Sequence, residues 1–147
     1  MESIRITPIA ESHFEAILAL MREFAIFERQ EDKMTNSLAQ MQAEKDCFKG
    51  LIAFNEKGEA IAYMMYYFVY LSWSGKSLYL EDIYIRPAYR GQGIGKRFMQ
   101  HFLDTAKASG CKRVRWQVSE WNEPAVAFYK SLGVTIDPHE RNCEIFL

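Results

Sequence analysis

Arg90, Gly91, Gln92, Gly93, Ile94, Gly95 and Lys96 form a run in which glycines alternate with larger residues and a cation stands at each end. Glycine lets a backbone bend tightly and approach a ligand with no Cβ in the way. Where such a turn opens a helix, unpaired N–H groups and the positive end of the helix dipole favour a phosphate. Two familiar phosphate loops fail on register. A dinucleotide fingerprint begun at Gly91 needs a third glycine where Lys96 stands. A P-loop ending at Gly95-Lys96 needs glycine in place of Arg90 and a hydroxyl residue in place of Arg97. A strand-to-helix turn with no ligand would look the same on this segment alone. Just upstream, Glu81 and Asp82 interrupt an apolar strand pattern from Leu78 to Ile85. Side chains of a strand alternate, so the two carboxylates are expected on opposite faces. They either solvate a strand end or meet a cationic partner.

The elements that must position these groups follow from periodicity and punctuation. Ile4 and Ile6 alternate with Arg5 in a first strand ended by Pro8. Ser12 and Glu15 have capping-box spacing ahead of Phe14, Ile17, Leu18 and Met21, which predicts a helix to about Phe27. Thr35, Asn36 and Ser37 offer caps for a shorter helix with Leu38 and Met41 inward. Leu51 to Phe54, a turn at Asn55 to Gly58, Ala60 to Tyr70, a turn at Ser74-Gly75 and Leu78 to Ile85 read as successive strands. Ile94, Phe98, Met99, Phe102 and Ala106 line one side of the helix after the glycine run, with Gly110 beyond its end. Arg113 to Ser119 alternates as a strand. A last helix runs from about Glu123 to Leu132, capped by Asn122 with Pro124 in its first turn, and Glu144 to Leu147 is a candidate closing strand. By helical spacing alone, Tyr129 on that last helix is a core aromatic.

The run Arg90-Gly91-Gln92-Gly93-Ile94-Gly95 resembles the pyrophosphate-binding signature, Gln/Arg-x-x-Gly-x-Gly/Ala, of the GNAT N-acetyltransferase superfamily. Leu80-Glu81-Asp82, Tyr89-Arg90-Gly91, and Glu120-Trp121-Asn122-Glu123-Pro124 through Phe128-Tyr129-Lys130 look like its spermidine/spermine N-acetyltransferase branch. The resemblance runs from about Ala62 to Gly133 and is architectural before that. It implies a single α+β domain over residues 1–147, with a mixed, mostly antiparallel sheet of six or seven strands and helices on both faces. It also implies acetyl-CoA as co-substrate and a primary amine as acceptor. In that family the backbone at Ile83, Tyr84 and Ile85 would hold the pantetheine arm and polarise the thioester carbonyl. Arg90, Gly91, Gln92, Gly93, Ile94, Gly95 and Lys96 would take the pyrophosphate, with Asn122 and Tyr129 further cofactor contacts. Glu81 would bind the amine and remove its proton, Tyr129 would protonate the departing sulfur, and Glu28 and Asp82 would join Glu81 at the amine. Glu31 and Asp32 extend the acidic stretch. Leu71 stands where that branch carries an acid and Cys143 near an expected tryptophan, so the acceptor stays open between a polyamine and a lysine-like amine. A protein lysine or N-terminus, or CoA binding without turnover, are the other readings.

Bulk properties agree with a packed globular chain: 49% hydrophobic and 25% charged residues among 147, with a formal net charge of -1. That balance argues against a nucleic-acid partner held by a basic field. Three cysteines with no Cys-x-x-Cys pair, and three scattered histidines, argue against a disulfide framework and against a metal site. The start Met-Glu-Ser-Ile-Arg lacks the order of a signal peptide, and Ile61 to Leu71 is too short to span a bilayer. No membrane role and a cytoplasmic location are expected. A homodimer is expected from the resemblance, with exposed Trp73 or Trp121 at the contact.

Overall fold

A computed structural model describes residues 2–147. Strands β1 (Arg5–Pro8), β2 (Lys49–Phe54), β3 (Ala60–Leu71), β4 (Gly75–Ile85) and β5 (Arg113–Trp116) form one sheet in the order β1-β2-β3-β4-β5. All neighbours are antiparallel except β4 and β5, which are parallel. The helices are α1 (Phe14–Phe27), α2 (Leu38–Ala43), α3 (Ile94–Ala108) and α4 (Glu123–Ser131). The chain divides into two compact units, one ending at Trp116 and one beginning at Gln117.

In the first unit, α1 and α2 pack one face of the sheet. Phe14, Ile17, Leu18, Leu20 and Met41 join Ile52, Phe54, Tyr63, Met65 and Tyr84 in a single buried cluster. The other face carries α3, whose Phe102 meets the Tyr66 ring edge-on at 5.8 Å and the Trp116 ring at 6.3 Å. Adjacent residues Met65 and Tyr66 thus serve opposite faces, as strand alternation requires. The second unit consists of α4 and irregular chain. The Asn122 side chain accepts from the Ala125 N–H at 3.3 Å, the cap expected from the sequence.

Three expectations are corrected. The sheet has five strands, not six or seven. The apolar triplet Ile145-Phe146-Leu147 stays exposed and unpaired with any strand. Three apolar residues after the polar stretch from Asp137 to Asn142 bury too little surface to offset the entropy of ordering them. The Ser12–Glu15 capping box is also absent. A 3-10 turn at Glu11–His13 precedes α1 instead, and the Ala10 N–H donates to His13 Nδ1 at 3.0 Å.

Gly50 in β2 is where strand packing is least forgiving. A Cβ there would lie 1.9 Å from the Met64 carbonyl oxygen and 2.8 Å from Ile9 Cδ1. The carbonyl belongs to the neighbouring strand and cannot retreat without breaking the ladder. Gly50→Ala is therefore expected to cost about 3 kcal/mol, read as a lowered urea midpoint. An unchanged midpoint would contradict the β2–β3 register.

Candidate active site

The site begins with an irregularity in β4. Met65 pairs with Asp82 and Tyr66 with Leu80, leaving Glu81 as an extra residue with no partner. This is a β-bulge, and it shifts alternation by one residue. Leu80, opposite Tyr66, keeps the α3 face, whereas Asp82, opposite Met65, turns to the α1 face. Glu81 turns the same way. The Tyr67 hydroxyl donates to Glu81 Oε2 at 2.9 Å, and the Tyr63 hydroxyl donates to Asp82 Oδ2 at 2.8 Å. Tyr63 and Tyr67 lie four apart on β3 and share a face. The expectation that the carboxylates divide between faces is overturned: the bulge brings them together.

Their settings differ. Glu81 is exposed, while the Asp82 carboxyl group lies deep even though the residue as a whole is half-buried. Burial raises the Asp82 pKa to about 6, the Tyr63 hydrogen bond opposes this, and the charges of Glu81 and Glu28 add to the rise. Glu28, just past the end of α1, is therefore close enough to feel Asp82. Burial, then the Asp82 charge, pushes the Tyr63 hydroxyl well above its ordinary value. Tyr63 thus stays a proton donor to the carboxylate. The resulting face concentrates negative charge beside aromatic walls, Tyr67 being stacked on Tyr79 at 5.3 Å. Such a surface draws in a cation. Glu31 and Asp32 lie in a separate exposed 3-10 turn.

The glycine run sits at the start of α3. Gly91 and Gly93 have φ of 76° and 84°, the left-handed region that residues with a Cβ avoid. Gly93 is the N-cap and brings no side chain. The first ladder bond of α3 runs from Arg97 N–H to Gly93 O at 3.1 Å, so the N–H groups of Ile94, Gly95 and Lys96 precede the helical ladder. A Cβ at Gly91 or Gly93 would meet no atom within 4 Å, so the turn opens onto free space. Open backbone donors with a positive dipole end fit a pyrophosphate. Tyr89, at the entrance to the turn, is tied to the β2–β3 hairpin by Asn55, whose Nδ2 donates to the Tyr89 hydroxyl at 2.9 Å.

β5 pairs only with Ser77 to Leu80. Among the described residues no strand covers the same edge of β4 from Glu81 to Ile85. An extended amide-bearing chain can add there as an extra strand would. The Ile85 carbonyl on this stretch already accepts from Arg90 Nε at 2.8 Å, and the Arg90 guanidinium lies 5.0 Å from the Phe27 ring centroid.

The chain matches the model of the acetyltransferase (GNAT) family over residues 14–134. It belongs to the GNAT acetyltransferase family. Thialysine N-epsilon-acetyltransferase from Sus scrofa is 37% identical over 144 residues, covering 90% of this chain and 85% of that protein. The protein of the same name from Mus musculus is 38% identical with the same coverage. Spermidine/spermine N(1)-acetyltransferase-like protein 1 from Homo sapiens is 32% identical across 88% of this chain and 20% of its own length. In fold, the chain is similar to an aminoglycoside acetyltransferase from an uncultured soil metagenomic sample. That structure gives a TM-score of 0.81 at 19% identity, covering 98% of this chain and 96% of that one.

This chain is thus a GNAT N-acetyltransferase, and the family uses acetyl-CoA as co-substrate. Of the residues that the sequence singled out, the first unit brings Glu81 and Asp82 to one face, and the Glu28 charge acts on Asp82. It sets Ile83 to Ile85 on an open strand edge and Arg90 to Lys96 around the helix start. Asn122 and Tyr129 lie in the second unit, both buried. Sequence reading missed Tyr63 and Tyr67. Both sit in the run Tyr63 to Tyr70, where aromatic strand residues read as core and nothing marks a hydroxyl as a carboxylate partner. If the turn holds pyrophosphate, Gly93→Val should weaken acetyl-CoA binding at least tenfold by calorimetry. The branched side chain is strained at this φ and projects into the open mouth of the turn. Unchanged affinity would remove the assignment.

Proposed function

We propose that this GNAT enzyme acetylates the terminal primary amine of a small cationic metabolite, lysine-like or polyamine. The observation that carries the reading is the bulge at Glu81, which joins two carboxylates on one face, where the Glu28 charge also acts on Asp82. The names of the relatives agree in chemistry, since thialysine and spermidine/spermine both present alkylamines. Among the described residues no helix is long and apolar enough to cross a bilayer.

An alkylamine of pKa near ~10.4 arrives protonated and cannot attack. Glu28, Glu81 and Asp82 attract the ammonium, and its proton passes to the carboxylate pair directly or through water. Asp82, held near 6, is ionised at neutral pH yet more basic than an ordinary aspartate. The neutral nitrogen then forms a bond to the thioester carbonyl carbon. Backbone N–H groups at Ile83 to Ile85 stabilise the developing oxyanion. As the C–S bond breaks, the Tyr129 hydroxyl supplies a proton to the sulfur. The helix start from Gly91 to Lys96 holds the pyrophosphate together with Arg90, and Asn122 is a further cofactor contact in this reading. Residues 1–147 act as a single catalytic domain in this reading, free in the cytoplasm and paired as a homodimer. Sedimentation velocity returning only monomer would remove the pairing.

The test is acetyl-CoA turnover on thialysine, lysine, polyamines, free amino acids and peptides. Acetylation of small ω-amines with low KM supports the reading. A preference for peptides would move the acceptor to protein, and CoA binding without acetylation of any amine would overturn catalysis by this site.

A further inference from the structure

The last two turns of α1 are fastened to the far end of β4 through Glu23 and Arg86, neither of which belongs to the proposed amine or pyrophosphate sites. Arg86, directly after β4, forks onto Glu23 of α1: Nε lies 3.1 and 3.0 Å from the two carboxylate oxygens, and Nη2 lies 2.7 Å from Oε1. The Tyr84 hydroxyl adds a long bond to Glu23 at 3.4 Å, and the Tyr84 ring stacks on Phe24 at 5.4 Å. One turn on, Phe27 lies under the Arg90 guanidinium. Glu28 follows immediately. After it the chain reverses at Arg29, a non-glycine residue at φ 58°. The reversal is closed by bonds from Gln30 N–H to Ala25 O at 2.9 Å and from Arg29 N–H to Ile26 O at 3.0 Å. A left-handed non-glycine residue is strained and persists where its surroundings over-determine it.

We propose that the Glu23–Arg86 fork, with the Arg90–Phe27 stack behind it, is a positioning device that holds Glu28 against the Glu81–Asp82 pair and so sets affinity for the amine. This inference rests on the proposed reading of the acidic face as the amine site. Each partner is about one-third exposed, at 35% and 36%. An ion pair that open to water contributes little stability. Its two parallel bonds do fix direction as well as distance, which a point charge cannot. A helix end without such a tie frays readily. The tie also links the donor and acceptor sides, since Arg86 and Arg90 belong to the segment that enters the pyrophosphate turn.

The test uses the full chain with Arg86→Gln, Arg86→Lys, Glu23→Gln and the charge swap Glu23→Arg/Arg86→Glu. The neutral variants should raise KM for the amine about tenfold while kcat and acetyl-CoA affinity stay within about twofold. Arg86→Lys should recover only part of the loss, and the swap should restore more than either single change. Asp82 is faced by Tyr63 from β3, Glu81 from β4 and Glu28 after α1. Release of Glu28 removes a negative charge from that set, so the acid limb of kcat/KM should move to lower pH. Amine KM and acid limb unchanged in folded variants would overturn the clamp, as would a swap no better than the singles. If the unaltered protein acetylates no amine, the function reading fails on its own. Amide exchange at Gln30 still judges the clamp: faster exchange in Arg86→Gln upholds it, and unchanged exchange overturns it.

Discussion

Asp82→Asn should lower kcat/KM for the amine by about a hundredfold, the scale of a lost general base, while acetyl-CoA affinity holds. Asparagine is nearly isosteric and still accepts from the Tyr63 hydroxyl, so the change removes charge and basicity more than shape. The unaltered enzyme should lose activity as pH falls through about 6, where Asp82 takes up a proton. In Asp82→Asn that limb should vanish. The same substitution should stabilise the fold. Burial raises the folded pKa from 3.8 to about 6, so the folded state binds the proton more tightly than the unfolded chain. Relative stability from this group is therefore full below about pH 4 and is lost as pH rises to 6. At neutral pH the cost is about 3 kcal/mol. Asp82→Asn should melt several degrees higher at pH 7.5 and unchanged at pH 3.5. Stability gained where activity is lost is the expected mark of a strained catalytic group. A melting point that falls at pH 7.5, with kcat/KM intact, would remove Asp82 from the site.

Tyr129→Phe should lower kcat by about a hundredfold and leave the acetyl-CoA dissociation constant within about twofold. Tyr129 is 5% exposed on α4, and its ring packs near Phe128 at 5.5 Å. Phenylalanine keeps that ring, so the fold should not change. What disappears is the proton for the leaving thiolate, which matters only after the amine has attacked. The loss should therefore fall on kcat and spare binding. Acceptors compared at saturating acetyl-CoA, with calorimetry alongside, separate the two effects. Undiminished kcat would return Tyr129 to a packing role, which is what its spacing on the helix suggests by itself.

The sequence determined the parts whose physics is local. Ile94, Phe98, Met99, Phe102 and Ala106 recur at helical spacing, and all are buried on α3 as that period demands. Gly91 and Gly93 mark a turn that needs positive φ, and both have it. Asn122 caps α4 because a short polar side chain reaches the N–H groups that follow it. The motif chain from Glu81 to Tyr129 carried the family. Tertiary structure alone decided how the two carboxylates face. Strand alternation separates Glu81 from Asp82, and only the register of β3 against β4 contains the bulge that reunites them. It also decided the hydroxyl partners Tyr63 and Tyr67, the seat of Arg90 over Phe27, the fork between Glu23 and Arg86, and the absence of a strand at Glu144 to Leu147. Each depends on residues far apart in sequence, whose pairing is set by how the whole sheet packs and by no local pattern.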